Sequence, residues 1–337
     1  MSGERIEGWG KDMENKKWII GVDLGGTTIK MAFVSDAGDI IDKWEIDTDL
    51  TENGANITRD IARSLDEQLH KHGRSKQGIV GIGMGAPGFI NFENGSVFEA
   101  INIGWKNFPL KSELEKVTNL PVAVDNDANL AALGEMWKGA GEGALDLICI
   151  TLGTGVGGGV IINGQIAHGI GGMAGEIGHI TCVPKGGYRC NCGRRGCLET
   201  VASATAIKRI ALNRFQDRPE SRLYTIYQEK RDLTTKDVFD MAKVEDALAL
   251  SLVDDVARHL GSVLSNVAIL LNPQKIVIGG GVSLAGDVLL KPIDHYIKTF
   301  TLPRVYDGLE LCKATLGNDA GVIGGAWLIN KHLNNDV

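Results

Sequence analysis

DLICITLGTGVGGGVIINGQI, residues 146–166, is the stretch of sequence that decides the fold. It predicts an apolar strand, a glycine turn and a second strand, followed by the hairpin dipeptide Asn163-Gly164. Residues 18–40, WIIGVDLGGTTIKMAFVSDAGDI, follow the same plan, and IIDKWEIDT extends them into an antiparallel meander. An internal repeat of this size indicates two related lobes and not a solenoid of short units.

The length of 337 residues supports this division, because a single hydrophobic core rarely serves so long a chain. Around the repeat, helix and strand patterns alternate, with further helices expected across residues 199–215 and 234–271. We therefore predict an α/β protein with two duplicated lobes and a cleft between them. The predicted parts are a polar tail (1–17), a small N-terminal lobe (18–125 plus about 320–337) and a large lobe (126–319).

The charge and hydropathy patterns exclude several classes of protein. A net charge of −7 repels phosphate backbones, so we expect no nucleic-acid partner. Apolar runs fall short of the ~20 residues that a membrane helix needs, and the N-terminus is too polar for a signal peptide. The sequence therefore predicts a cytoplasmic protein without a membrane partner.

Glycine clusters follow three predicted strands, in DLGGTT (23–28), LGTGVGGG (152–159) and IGGGVS (278–283). Turns without Cβ atoms let backbone amides approach a phosphate, and threonine hydroxyls add donors. The alternative for each is an ordinary tight turn. None matches the P-loop pattern, and we expect none to open a strand–turn–helix unit. The predicted ATP-binding residues are Asp23, Gly25, Gly26, Thr27, Thr28, Lys30, Gly153, Thr154, Gly155, Gly280 and Gly281.

A cluster of metal-ligand residues lies between 179 and 197. Eleven positions after His179 begins CNCGRRGC, which contributes Cys190, Cys192 and Cys197. Three thiolates and one imidazole satisfy tetrahedral zinc in a closed structural site, and disulfides are an unexpected use for cysteines in a reducing compartment. The alternative is free surface thiols or a redox pair. We expect the other three cysteines, which lie in apolar strand contexts, to be buried.

PVAVDNDAN places Asn126 and Asp127 at the carboxyl end of a predicted strand, where α/β proteins present residues to a crevice. Phosphoryl transfer to a hydroxyl needs a carboxylate that accepts the proton. The competing role for Asp127 is the N-cap of the following helix, and its position suits both.

Together these motifs resemble the ROK family (repressors, open reading frames, kinases). The resemblance rests on GEIGHITCVPKGGYRCNCGRRGCLE (175–199), with DLGGTTIK, APGFI, DNDAN and GTGVGGG, and it extends from about Lys17 to the C-terminus. It implies the actin-like fold, built from two ribonuclease H-like lobes. It also implies ATP-dependent phosphorylation of glucose at the 6-hydroxyl, with Asp127 as general base and Asp23 positioning Mg²⁺.

The family's sugar contacts, carried over by position, fall on Gly88, Asn102, Asn126, Asp127, Glu176, His179 and Glu199. Since Glu176, His179 and Glu199 bracket the cysteine cluster, the resemblance implies that zinc anchors the sugar ligands. Without the resemblance, the sequence predicts for Glu199 only the role of a favourable acid in the first turn of a helix. Asp125 stands where the family often has Glu. The implied assembly is a homodimer, with a tetramer as the alternative.

Two other functions are compatible with the resemblance. ROK repressors bind sugars as inducers through the same body, but they carry an N-terminal helix-turn-helix, for which about 17 polar residues before the first strand are too few. Other family kinases phosphorylate N-acetylmannosamine, N-acetylglucosamine, fructose or allose, and some use polyphosphate as the donor. The sequence does not display the pocket shape that separates these substrates.

Overall fold

The computed structural model describes residues 17–215 and 218–334, so the predicted polar tail, except for Lys17, lies outside the described residues. The chain forms two compact units. Unit 1 comprises the chain up to Lys138, the short segment His168–Met173 and the chain from Asn318 onward, whereas unit 2 comprises Gly139–Ala167 and Ala174–Gly317.

Unit 1 is built on a five-stranded sheet with the order β3-β2-β1-β4-β8. Neighbours are antiparallel within the β1–β3 meander and parallel from β1 through β4 to β8. Its strands are β1 (Trp18–Leu24), β2 (Thr28–Val34), β3 (Ile40–Asp47), β4 (Ile79–Ala86) and β8 (Val122–Asn126). The predicted meander is confirmed.

Helices cover this sheet on both faces. They are α1 (Ile57–Lys71), α2 (Leu110–Thr118), α3 (Asp127–Lys138) and α11 (Ala320–Leu333). The α1 stripe of Ile57, Ile61, Leu65 and Leu69 is buried, as its spacing of four residues predicts. Helix α11 lies against the sheet backbone, because a Cβ on Gly21 would come within 1.9 Å of the Val322 carbonyl oxygen.

A small antiparallel sheet, absent from the sequence prediction, completes unit 1. It consists of β5 (Phe89–Asn91), β6 (Ser96–Ala100) and β7 (Trp105–Phe108) in that order. Its strands are only three to five residues long, too short for a clear alternating pattern. Trp105 is buried in the core of the unit.

Unit 2 repeats the topology of unit 1. Its five-stranded sheet has the order β11-β10-β9-β12-β13, with the first three antiparallel and the last two joining in parallel. The strands are β9 (Leu147–Leu152), β10 (Val156–Ile162), β11 (Gln165–Ile166), β12 (Lys275–Gly279) and β13 (Glu310–Lys313). The duplicated topology confirms the α/β prediction and the internal repeat.

The helices of unit 2 are more divided than predicted. They are α4 (Glu199–Ala202), α5 (Ala204–Arg214), α6 (Arg222–Lys230), α7 (Thr235–Lys243), α8 (Ala247–Leu271), α9 (Asp287–Phe300) and α10 (Pro303–Tyr306). Ser203 separates α4 from α5 and caps the latter, since its hydroxyl accepts a hydrogen bond from the Ala206 amide (3.1 Å). Helix α6 was not predicted.

The unit boundary differs from the predicted one at 125/126, because α3 belongs to unit 1. Gly134 and Gly324 allow α3 and α11 to meet backbone to backbone; a Cβ on Gly134 would lie 2.1 Å from the Ala320 carbonyl oxygen. The segment His168–Met173 also departs from the predicted large lobe. Among residues 17–215 and 218–334, no helix combines the length and apolar character that a membrane span requires.

Candidate functional site

The corner between β8 and α3 presents the predicted catalytic residue. Strand β8 ends at Asn126 and α3 begins at Asp127, which is exposed. The Asn126 Oδ1 accepts hydrogen bonds from the amides of Ala128 (2.9 Å) and Asn129 (3.4 Å). Asn126 therefore caps α3, and Asp127 occupies the first helical position, where its Oδ1 accepts from the Ala128 amide (2.9 Å). The alternative N-cap role for Asp127 is wrong.

Gly88 lies next to this corner, at the start of β5. Its carbonyl oxygen accepts a hydrogen bond from Asn126 Nδ2 (3.1 Å). Its φ is +90°, and a Cβ would come within 2.1 Å of the Glu99 carbonyl oxygen, so only glycine fits. The structure thus joins two predicted sugar contacts, Gly88 and Asn126. The third residue of this group, Asn102, lies exposed in the turn between β6 and β7.

The first glycine turn connects β1 and β2 as a hairpin. The Gly25 amide donates to the Thr28 carbonyl oxygen (3.0 Å), and a Cβ on Gly25 would approach that oxygen to 2.8 Å. Gly26 and Thr27 are exposed at the tip. Such a tip leaves backbone amides accessible to an anionic group.

Asp23 lies at the base of this turn, with Lys30 as its partner across the β1–β2 ladder. Its carboxyl packs against Gly321 in the first turn of α11, where a Cβ would lie 2.8 Å from Asp23 Cγ. Burial raises the pKa of Asp23, and the charge of Lys30 partly opposes that rise. A carboxylate beside a turn with accessible backbone amides suits Mg²⁺, which prefers oxygen ligands.

The second glycine turn, between β9 and β10, is also a hairpin. The Gly153 amide donates to the Gly155 carbonyl oxygen (3.0 Å), and Thr154 is exposed at the tip. Glu199 supports this turn from α4, since its Oε2 accepts a hydrogen bond from the Val156 amide (3.1 Å). A Cβ on Gly155 would come within 2.5 Å of the same carboxylate oxygen, so a larger residue there would displace the end of the Glu199 side chain.

The third glycine turn corrects one prediction. It follows β12 and leads through a 3₁₀ turn (Gly281–Ala285) into α9, so it does open a strand–turn–helix unit. Gly280 has φ +78°, and a Cβ would lie 2.4 Å from the Leu152 carbonyl oxygen. The second and third turns are therefore packed together in unit 2, while the first belongs to unit 1.

The four predicted metal ligands converge in unit 2. The ligand atoms of His179, Cys190, Cys192 and Cys197 all lie within 4.8 Å of one another. His179 Nδ1 is 3.5 Å from Cys190 Sγ, and the Sγ atoms of Cys192 and Cys197 are 3.6 Å apart. Tetrahedral zinc with bonds of about 2.3 Å to sulfur separates two sulfur ligands by about 3.8 Å. The donor set and its spacing fit zinc.

Local structure shapes the loop around these ligands. The Gly193 amide donates to the Cys190 carbonyl oxygen (3.0 Å), and Gly193 and Gly196 both have positive φ. The backbone N–H of Arg194 lowers the pKa of Cys192 to about 6, whereas burial raises the pKa of Cys190 to about 12. A cation among the four ligand atoms favours the thiolate form of each cysteine.

The predicted sugar contacts of unit 2 adjoin this cluster. His179 Nε2 is 3.8 Å from Glu176 Oε2, on the ring side opposite the cysteine-facing Nδ1. Glu199 Oε1 lies 3.9 Å from Cys190 Sγ while its Oε2 holds the second glycine turn. The sequence did not predict this contact between Glu199 and the turn, because the two are more than 40 residues apart in the chain.

The remaining cysteines fulfil their prediction in part. Cys149 is buried in β9, but Cys182 and Cys312 are half-buried, and Cys182 lies outside the strands. Sequence reasoning also gave no role to His168, which pairs with the buried Asp125 (Nε2–Oδ2, 2.7 Å). A single histidine in a glycine-rich loop carries no signal by itself.

Comparison with known proteins gives a consistent result. The model of the ROK family matches residues 19–332. The glucokinase of Halalkalibacterium halodurans is 59% identical over 94% of this chain and 96% of its own. The glucokinase of Thermotoga maritima is 38% identical over 94% and 98%. The crystal structure of a ROK family glucokinase from Streptomyces griseus, in complex with glucose and AMPPNP, has a TM-score of 0.77 at 35% identity, covering 93% of this chain and 99% of that one.

Proposed function

The chain belongs to the ROK family, and on that premise we propose that it transfers the γ-phosphoryl group of ATP to the 6-hydroxyl of glucose. The near full-length similarity to two glucokinases supports glucose, and the solved relative with glucose and AMPPNP supports a nucleoside triphosphate donor. The protein is an ATP-dependent sugar kinase that produces glucose 6-phosphate and ADP.

One observation carries the catalytic assignment: the exposed Asp127 carboxylate at the carboxyl end of β8, in a corner where Asn126 caps the helix. Asp127 accepts the proton of the 6-hydroxyl, and the freed oxygen attacks the γ-phosphorus in line. The bond from the γ-phosphorus to the bridging oxygen breaks, and ADP leaves with the electron pair. Excluding water from the reacting groups protects ATP from hydrolysis.

The nucleotide is held by the glycine turns and by Asp23. Backbone amides at the exposed tips around Gly26 and Thr154 bind phosphate oxygens, with Lys30 as an additional cation. Mg²⁺, when bound with the nucleotide, neutralises charge on the phosphate oxygens. Asp23 is the carboxylate that orients it, which is consistent with its place at the base of the first turn.

The hydroxyl-binding groups proposed for the sugar are Gly88, Asn102, Asn126, Glu176, His179 and Glu199. Carboxylates and amides each take two hydrogen bonds, as a sugar rim requires. The orientation of His179 supports two roles, with Nδ1 for a metal and Nε2 for a hydroxyl.

The cluster of His179, Cys190, Cys192 and Cys197 holds a structural zinc ion. The close approach of the four ligand atoms supports this role, because four protein ligands complete the tetrahedral shell of a structural zinc ion. The metal fixes the loop that carries the sugar ligands and takes no part in the chemistry.

We further infer that the protein is a cytoplasmic homodimer, with a tetramer as the alternative assembly. Sizing by light scattering tests the assembly state.

Two kinetic measurements test the function. Across a panel of hexoses with ATP, glucose should give the highest kcat/KM, and a higher value for N-acetylmannosamine or fructose would overturn the assignment of glucose as the substrate.

Asp127→Asn should lower kcat by about 10²–10⁴-fold, because general base catalysis contributes about that much. Asp287→Asn is the matched control, an exposed acid at the first position of α9. Normal turnover of Asp127→Asn with intact glucose binding contradicts the assignment.

A further inference from the structure

The residue before the catalytic corner carries a buried carboxylate. Asp125 is 2% exposed, and its Oδ1 accepts hydrogen bonds from the Asn126 amide (2.7 Å) and from Asn129 Nδ2 (2.8 Å). Its other oxygen, Oδ2, is 2.7 Å from His168 Nε2. Burial of a charge is costly unless hydrogen bonds compensate it, so each of these donors contributes to holding the carboxylate in place.

The position of His168 is unusual along the chain. It follows β11 of unit 2, yet it begins the segment His168–Met173 that packs with unit 1. Gly169 and Gly172, both with positive φ, turn the chain within this segment. The His168 ring stacks on Phe92, with centroids 4.5 Å apart and planes at 11°. The stack and the hydrogen bond together fix the ring, with Nε2–H as the donor to the carboxylate.

We propose that His168 is a positioning residue that acts through Asp125 on the Asn126–Asp127 corner. The Asp125 carboxylate accepts from the very peptide N–H of Asn126, whose side chain caps α3 and bonds to Gly88. When the donor at His168 is removed, Oδ2 loses its partner and the carboxylate reorients. The Asn126 peptide then shifts, and with it the Asp127 carboxylate that follows. The proposal rests on the proposed role of Asp127 as proton acceptor.

The hydrogen bonds of Asp125 support this path over a role in folding alone. Asp125 shares its Oδ1 between the corner peptide and Asn129, which is buried in the first turn of α3. The carboxylate therefore joins the end of β8, the start of α3 and the His168 segment through one group. Misplacement of a catalytic group by about 1 Å can cost about 10²-fold in rate. The effect of His168 should therefore appear mainly in kcat.

Two substitutions separate the donor from the ring. His168→Phe keeps an aromatic ring for the Phe92 stack but cannot donate to Asp125, whereas His168→Gln keeps an N–H donor without the ring. His168→Phe should lower kcat about ten- to a hundredfold, with the KM for ATP unchanged. His168→Gln should recover most of the lost kcat. Unfolding midpoints of both variants show whether the fold is retained.

His72 provides the matched control. It pairs with Asp42 in the same way (Nε2–Oδ2, 2.8 Å) and contacts the ring of Trp18, but it lies at the C-terminus of α1. His72→Phe should leave kcat and both KM values unchanged.

The proposal is wrong if His168→Phe keeps kcat within about twofold of the native value, a change under about 0.5 kcal/mol by the usual conversion. It is also wrong if His168→Gln is no more active than His168→Phe, since the donor would then not matter. The two proposals fail separately. A native rate for Asp127→Asn overturns the role of Asp127, whereas a native rate for His168→Phe with an inactive Asp127→Asn overturns only the role of His168.

Discussion

Asn126 and Asp127, at the corner between β8 and α3, have different roles in the structure, although the sequence pattern would allow either residue to cap the helix. Asn126 caps α3 with its side-chain oxygen, and Asp127 presents an exposed carboxylate one position later. Both residue types favour N-cap positions, so propensity alone does not separate them. The separation comes from β8, which extends through Asn126 and therefore places the start of the helix at Asp127.

Asp23 illustrates a conflict between stability and function. Burial raises its pKa in the folded protein, so below the unfolded pKa of about 4 the carboxyl is protonated in both states and does not lower the free energy of unfolding. As the pH rises through the folded pKa, ionisation favours the unfolded state and stability is lost. We therefore expect Asp23→Asn to be more stable than the native protein at pH 7 without ligands, and the difference to shrink as the solution is acidified.

The same substitution should reduce activity. Removal of the carboxylate that is proposed to orient Mg²⁺ should lower kcat by about tenfold or more and raise the Mg²⁺ concentration needed for half-maximal rate. Calorimetric unfolding between neutral and acidic pH, with steady-state kinetics, measures both effects. Asp36→Asn, in the exposed turn between β2 and β3, is the control. Native Mg²⁺ dependence in Asp23→Asn argues against the assignment.

Helices and strands in unit 1 depend on glycine to pack at backbone distance from one another. Helices α3 and α11 meet where Gly134 and Gly324 have no side chain, and α11 in turn lies on the backbone of β1 and β4 through Gly21 and Gly83. The glycines thus serve two purposes. Some form the three turns that follow strands, and others allow helices to pack at backbone distance, a use that the sequence pattern does not reveal.

Gly324→Ala tests the helix contact. A Cβ at this position would lie 1.8 Å from the Leu130 carbonyl oxygen, so the helices must separate. Overpacking of this kind destabilises by about 1–3 kcal/mol. In the upper part of that range, the loss outweighs the gain of about 1 kcal/mol in helix propensity from Gly to Ala. Denaturant unfolding should therefore show a lower midpoint. Gly308→Ala, whose nearest neighbour would be 3.9 Å away, is the control; equal midpoints for the two variants would refute the contact.

At the scale of the whole molecule, the loop that carries the His179, Cys190, Cys192 and Cys197 cluster joins parts of the proposed site that are distant in sequence. Glu199 follows the last cysteine by two residues and bonds to the second glycine turn, which precedes the loop in the chain. The proposed metal ion would therefore support both Glu199, a proposed sugar ligand, and the second glycine turn that Glu199 holds. Metal loss should be felt in the folding free energy as well as at the substrate, since metal binding is linked to folding.

Cys192→Ser should lose zinc, glucose affinity and thermal stability together. Metal content by atomic absorption, glucose binding by calorimetry and the unfolding midpoint give the three readings. Cys312→Ser, which changes a half-buried thiol outside the cluster, should keep all three near native. If Cys192→Ser loses metal but binds glucose normally, the scaffold role of the cluster is refuted.

The sequence by itself determined the repeated strand–turn–strand pattern, the ligand identities of the metal cluster and the strand-end position of Asn126 and Asp127. These are local properties, encoded in hydrophobic period, glycine position and residue type within a few tens of residues. Only the tertiary structure decided that α3 and the His168 segment belong to unit 1, that Glu199 holds the second glycine turn and that His168 pairs with Asp125. Such contacts join residues some 40 positions apart through packing, and no periodicity along the chain records them.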